Sequence, residues 1–472
     1  MTQFKRQRTI NTRFATTEHP EHLRRPGAKR QLLAGIASAS LALCAFACGN
    51  VSEEKSDANT PIDGPSDAAI DGALACPVGA IAVCSGASLV TCDGQGHATN
   101  TEACALGCND TAKRCNKLDP SNGLASSLDD AATANDLVLS GAATIDTDAG
   151  TVTDTSGSRV IQSSGITAGL PVGLFVIKVK SFATGGDVTV VGTRALVIVS
   201  AGTVKITHTL SVSARARLNG PGSLLSDTAC RGGSTSGNAN GWPGAGGGGF
   251  GSAGGRGGTG GSPLVQGGLP GGVSGTTELV PLRGGCPGGR DTTDNPSDYA
   301  VGAAGGAIQI VSNVKIELAD GGFVAANGSG GGKFQGLPTV CPTGGPCDHG
   351  EGGGSGGAIL LEAPVVTVNQ LAGVVSNGGG GGCNVDGTGA AGSLSAVPAL
   401  GSTCQQDPSK GGDGAAGLIA AQNGGNGASG KPVGGGGGGG AGRIRVNVAP
   451  GTQFSPLGAV SGARSTGFVG LR

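Results

Sequence analysis

The sequence predicts an all-β protein: a right-handed parallel β-helix with long Gly-rich insertions, preceded by a small disulfide-rich module. Three observations lead there. Helical apolar spacing is absent, and the apolar residues fall in short β-branched runs. Three of those runs repeat one phrase: "ALVIVSAGTVKI" at 195–206, "AIQIVSNVKI" at 307–316 and "AILLEAPVVTV" at 358–368. Glycine, 97 of 472 residues, is gathered in blocks at 231–289, 328–357, 378–392 and 424–442, without the strict third-residue period of collagen.

Each phrase reads as a strand, a short corner and a second strand. A third weak run and a turn follow: "LSVSARARLNGPG", "GGFVAANGSGG" and "LAGVVSNGGGG". A fourth copy begins at "GGAGRIRVNV", 439–448, and ends in "GAVSG". Three strands and three corners in roughly 20–28 residues make one coil of a parallel β-helix. Such a coil cannot close its own apolar face, so stacked neighbours must bury it. In "SGGAILLEAPVVTV", 355–368, strand alternation puts Glu362 and Thr367 on the outer face and Ile359, Leu361, Val366 and Val368 inside. One Trp and one Tyr leave the burying to small aliphatic side chains. Glycine and asparagine are expected at corners that need positive φ.

The elements follow in order. Residues 31–47, "QLLAGIASASLALCAFA", are uncharged and follow the basic "RRPGAKR", so residues 1–47 read as a signal peptide. The apolar run is shorter than the roughly 20 residues a membrane span needs. Residues 48–75 are rich in Ser, Asp, Pro and Gly without periodicity, the composition of a disordered tether. Residues 76–117 hold Cys76, Cys84, Cys92, Cys104, Cys108 and Cys115. In an exported chain these form a disulfide framework with all 15 pairings open. Zinc is the weaker reading there, with His97 alone and no CxxC pair. Residues 118–472 are the β-helix, with insertions at about 222–304, 328–355 and 378–433, all leaving from one corner and protruding on one side. The insertions carry Cys230 and Cys286, Cys341 and Cys347, and Cys383 and Cys404, two each, as expected if each loop is closed by its own bridge.

Three resemblances add to this. "AFAC", ending at Cys48, resembles a bacterial lipobox, with Ala45 where leucine is usual; it implies that Cys48 carries a lipid. The six-cysteine segment resembles small Cys-rich repeats in surface lipoproteins of large-genome Gram-negative soil bacteria. "GGAI" at 305–308 and 356–359 resembles the repeat of the polymorphic outer-membrane proteins, which are β-helical surface passengers. In that family it travels with "FxxN"; here "FVAAN", Phe323 to Asn327, is one residue too long.

Charge narrows the chemistry. The net charge is −1, but residues 1–47 hold eight bases and two acids, which leaves 23 bases against 30 acids, or −7, for residues 48–472. Phosphate neutralisation needs clustered cations, so no nucleic-acid partner is expected. No phosphate-loop motif accompanies Lys333 or Lys410, and no cofactor is expected. "RDTTDNPSD" places Arg290, Asp291, Asp294 and Asp298 together as a calcium candidate, with a solvated loop the blander reading. "DHGEGG" groups Asp348, His349 and Glu351, a metal candidate or a polar turn. Arg443 and Arg445 of "GRIR" are expected in solvent. Trp242 is the candidate ligand contact, or else packs the glycine loop. The expectation is a non-catalytic structural or adhesive scaffold. It would sit lipid-anchored in the outer membrane or on the cell surface of a Gram-negative bacterium. A cell-surface or matrix protein or a polysaccharide would be its partner. The alternative is a polysaccharide-processing β-helix enzyme, pectate-lyase-like or glycosidase-like.

Overall fold

The computed structural model describes residues 76–161, 163–166, 172–236, 241–261, 264–290, 292, 299–333, 350–383, 387–403, 409–427 and 433–472. Cys48, Cys341, Cys347 and Cys404 therefore lie outside the described residues, as do Asp291, Asp294, Asp298, Asp348 and His349.

Three parallel sheets stand side by side, and the chain visits them in turn. The first sheet runs Leu174–Val179, Ala195–Ser200, Ala307–Ser312, Ala358–Glu362, Arg443–Val448 and Ala463–Phe468. The second runs Leu137–Leu139, Phe182–Thr184, Val204–Ile206, Lys315–Leu318 and Val365–Val368. The third runs Ala143–Asp146, Val188–Val191, Thr209–Ser211, Phe323–Ala325, Gly373–Val375 and Ala459–Ser461. The three repeated phrases occupy equivalent places: Leu196, Ile308, Ile359 and Ile444 pair in register, as do Ile198, Ile310, Leu361 and Val446. These ladders face inward and meet Val204, Ile316 and Val366 of the second sheet and Leu210, Val324 and Val374 of the third in one core. Ile359, Leu361, Val366 and Val368 all belong to it. The core is not purely aliphatic, since Phe175 and Phe182 are fully buried in it.

The first end of the stack is closed by antiparallel strands. Thr151–Asp154 and Gly157–Val160 extend the third sheet, and Ser163–Ile166 extends the first. Such a cap blocks edge-to-edge addition of another chain.

The first sheet is covered on its outer face too. Residues 118–131 do not enter the three-sheet repeat; they cross that face and include a short helix, Ala125–Ala131. Leu118, Leu124, Leu128 and Ala131 pack on Leu174, Val176, Val197, Val199 and Leu360, joined by Phe250 and Leu282 from the first insertion. This explains why every residue of Ala195–Ser200, Ala307–Ser312 and Ala358–Glu362 is buried, without the in–out alternation of a half-exposed strand. Gly470–Leu471 returns to pair with Leu118–Asp119, fastening the strap to the chain's end.

The insertions leave where expected, between the third and first sheets, and Cys230–Cys286 closes the first within itself as expected, but they are not separate loops. They interlock. Gly434, Gly437 and Gly440 donate to the carbonyls of Trp242, Ala245 and Gly248 in the first insertion. Gly435 and Gly438 donate to Gly425 and Gln422, while Gly436 and Gly439 donate to Gly382 and Gly379. From the second insertion, Gly350, Gly353 and Gly356 donate to the carbonyls of Gly434, Gly437 and Gly440. Each neighbour is met at every third residue, and successive residues turn to different neighbours. Three residues per turn with no internal hydrogen bonds is the geometry of polyproline II. The described glycine runs of the insertions thus form a bundle of extended helices cross-linked backbone to backbone.

Glycine's role in the bundle differs from the corner role expected. No glycine within 242–258 or 433–442 has positive φ. What matters is close approach: a Cβ on Gly437 would collide with the carbonyl oxygen of Gly255. The turn role is confined to positions such as Gly192 (φ 105°) and Gly321 (φ 84°).

In the small module, Ala82–Ser85, Ser88–Cys92 and Ala98–Ala103 form an antiparallel sheet. Its bridges are Cys76–Cys92, Cys84–Cys108 and Cys104–Cys115, so no thiol there is left to ligate zinc.

Candidate functional site

Two adjoining clefts open where the third sheet meets the root of the first insertion. One, of about 320 Å³, is lined by Arg217, Arg231 and Arg290 with Asn219, Leu225 and Val301 among its walls. The other, of about 340 Å³, shares Asn219 and Leu225 and adds Arg215, Leu218, Thr193 and Asp148. Local backbone explains the cluster. Arg215 and Leu218 exchange both backbone hydrogen bonds, 2.9 and 2.8 Å, across a two-residue turn. Ala216 in that turn takes φ 50°, a left-handed conformation that L side chains rarely adopt. Its carbonyl accepts the Ser329 hydroxyl at 2.7 Å. Asn219 accepts Ala304 N–H at 2.8 Å, tying the far side of the turn to the edge of the bundle. The single carboxylate in the pair of clefts among the described residues, Asp148, is engaged by Thr193 N–H and O–H at 2.9 and 2.8 Å.

Of the residues singled out from sequence, Arg290 lines the first cleft, with its aspartate neighbours outside the described residues; the other described ones fall elsewhere. Glu351 is buried in the bundle. Trp242 is half-buried, and its carbonyl takes the Gly434 N–H at 2.8 Å.

Arg443 is not in solvent. It is 9% exposed, lies 5.8 Å from the Phe250 ring centroid and donates to Ser274 O at 2.9 Å. Burial and then the nearby Arg283 charge lower its pKa from the ordinary arginine value. Arg445 is half-buried and donates to Asn447 and to Thr466 O. Both point away from the inner core, as alternation requires, but the first insertion is packed over Arg443. Arg283 shares the Phe250 ring at 5.4 Å and pairs with Asp227 at 2.9 Å. Burial works against the Asp227 charge, yet Ser274 O–H, Ala229 N–H and Arg283 outweigh it and hold the carboxyl below its ordinary range.

Asp227, Cys230 and Cys286 form the one three-residue metal-ligand cluster among the described residues. Both sulfurs are joined in a bridge, and the Asp227 oxygens take three donors, so the cluster is a fastening of the first insertion. Cys383 is disulfide-bonded as well.

Glu362 lies on the outer face, as alternation places it, but that face is covered: it is 1% exposed, beneath the strap. Its carboxyl accepts Ser121 O–H at 2.8 Å, Gln309 N–H at 2.6 Å and Asn447 N–H at 3.0 Å. Asn122 completes the network by donating to Gln309 Oε1 at 3.0 Å.

No protein-family model, curated protein or solved structure matches this chain. Among the described residues no helix is long and apolar enough to cross a membrane.

Proposed function

We propose that this chain is a non-catalytic, lipid-anchored surface scaffold of adhesive type, built on a right-handed parallel β-helix. The right hand follows the rule for parallel strands joined through a crossover. One observation carries the reading: three insertions from successive circuits lock into a single glycine bundle on one side of the stack, so the protein holds a large, shaped surface at fixed geometry. Bridged cysteines fit an oxidising compartment. Cys48, in its lipobox-like context, would supply the anchor, and residues 48–75 the reach. The GGAI resemblance to β-helical surface passengers agrees with this placement. The polysaccharide-processing alternative asks for three or more carboxylates in one groove, whereas the two clefts present Asp148 alone among the described residues.

Palmitate labelling of the wild type against Cys48→Ser, with protease shaving of intact cells, tests the reading. Label lost in the variant and wild-type chain shaved from the cell surface are expected. Label persisting in Cys48→Ser, or a chain protected inside intact cells, contradicts the anchor or the surface. Turnover of polygalacturonate by purified protein contradicts the non-catalytic role.

A further inference from the structure

We propose that the paired clefts at the root of the first insertion bind an acidic polysaccharide, through Arg215, Arg217, Arg231 and Arg290. The naming of a glycan rests on the adhesive reading; the cleft itself does not. The body of the chain carries −7 outside its first 47 residues, so a general attraction for polyanions is missing. Against that background, four arginines border two clefts that share Asn219 and Leu225, and among the described residues the first contains no acid at all.

The walls suit a sugar acid. Guanidinium groups offer planar forks that match carboxylate or sulfate in bidentate fashion. Leu218, 69% exposed, and Leu225, 52% exposed, add apolar surface beside those forks, where the C–H faces of a pyranose can rest. Ala216, between Arg215 and Arg217, is held in a left-handed conformation by backbone and Ser329 contacts, so the backbone that carries both arginines is fixed before a ligand arrives. A cleft of about 320 Å³ takes a sugar or two of a chain. It is not the long cationic stripe that a nucleic-acid backbone requires.

The experiment uses the full chain and four probes: polygalacturonate, dextran sulfate, neutral dextran and duplex DNA. Calorimetry or retention on immobilised polymer should show binding of one or both acidic glycans that weakens with salt. The two anion sources separate by polymer. At neutral pH, where the first insertion stays fastened, retention of polygalacturonate with loss of dextran sulfate marks a carboxylate source, and the reverse marks a sulfate source. Arg231→Gln/Arg290→Gln should lower affinity at least tenfold, and Arg114→Gln, on the small module, should leave it unchanged. Should the double variant fail to fold by circular dichroism, arginine footprinting with phenylglyoxal on the wild type decides. Polymer should protect Arg215, Arg217, Arg231 and Arg290 but not Arg114 or Arg464. Unchanged affinity in a folded double variant, equal binding of neutral dextran, tighter binding of DNA, or no differential protection would each overturn the proposal. A chain that reaches the cell surface yet binds neither acidic glycan keeps the scaffold and loses the cleft. A chain that binds but stays inside the cell does the reverse.

Discussion

The stacked sheets and the glycine bundle are held together by opposite uses of the side chain. In the sheets, Leu196, Ile308, Ile359 and Ile444 form a ladder whose stability comes from apolar surface removed from water. In the bundle the side chain is what must be missing. Gly437 donates to Ala245 O at 2.9 Å and accepts from Gly353 N–H at 2.9 Å, with the Gly255 carbonyl where a Cβ would stand. The stabilising unit is the backbone hydrogen bond, and its density depends on the approach that glycine permits. Ordering so much glycine is entropically costly, since glycine loses more freedom than any other residue. A bundle of this kind therefore needs a rigid base, and the sheets provide it by fixing both ends of every insertion.

The sharpest way to break the comparison is to add one methyl to the bundle and remove one from the sheets. Gly437→Ala should cost about 4 kcal/mol or more, from overpacking and the hydrogen bonds that overpacking breaks. Ile198→Val, in the core ladder, should cost about 1 kcal/mol. Urea unfolding of both variants measures the difference. If adding the methyl proves milder than removing one, close approach is not what holds the bundle.

The next effect separates the fastening from the stack. Cys230–Cys286 closes a segment of 56 residues in the first insertion. Chain-entropy arguments put such a closure at about 4 kcal/mol. Cys230→Ser/Cys286→Ser should speed proteolysis within 231–289 while cleavage within the sheets stays unchanged. Uniform acceleration would mean that bundle and stack unfold as one unit.

How much of this could be seen in the sequence follows the same division. The three-sheet repeat was visible because "ALVIV", "AIQIV" and "AILLE" place equivalent residues at equivalent positions, and inward residues such as Ile359 and Val366 obey alternation. The cover over the first sheet was also written there, in "LFVI", "ALVIV" and "AILL", runs without polar alternation, but reading it needs the rule that such strands are buried on both faces. Alternation puts Glu362 and Arg443 on the outer face correctly, but it gives direction and not exposure, so the solvent expected around Arg443 is absent. What covers them, the strap around Ser121 and the first insertion around Phe250, is far away in sequence. The bundle was the hardest part. Uniform glycine carries no side-chain pattern, so only three-residue spacing of hydrogen-bond partners identifies it, and those partners are set by the stack. The arginine cleft had one local cue, Arg215 and Arg217 two residues apart in "ARAR"; Arg231 and Arg290 join them only through the fold. The disulfide pairing of the small module was likewise beyond spacing alone.

The strap gives a third, smaller test of how far the sheets are independent of what covers them. Glu362→Leu keeps volume but leaves Ser121, Gln309 and Asn447 donors without their acceptor. A loss of about 3 kcal/mol is expected, the cost of buried donors left unpaired. Hydrogen exchange should rise at residues 118–131 and barely change in the second sheet. Unaltered exchange in the strap would show that Leu118, Leu124 and Leu128 hold it without the polar network.

The smallest effect distinguishes the two regions by pH. Asp227 is held below its ordinary range by Ser274, Ala229 and Arg283, against the burial that opposes its charge. A carboxyl whose folded pKa is depressed adds stability that is fully present above its unfolded value, about 3.9, and fades as pH falls through the folded value. The first insertion should therefore loosen below about pH 4, where the unfolded carboxyl begins to bind protons first. The inner core of Leu196, Ile308 and Ile359 has no titrating side chain among its members and should not respond at that site. Asp227→Asn should cost about 1–2 kcal/mol at neutral pH by weakening charge-assisted hydrogen bonds, and should flatten the acid dependence of protease cleavage within 231–289. The loosening belongs to Asp227 only if the variant lacks it. An acid transition of equal size in Asp227→Asn would assign it to another carboxylate, and the anchorage of the bundle would then rest on Phe250 with its two arginines and on the Cys230–Cys286 bridge.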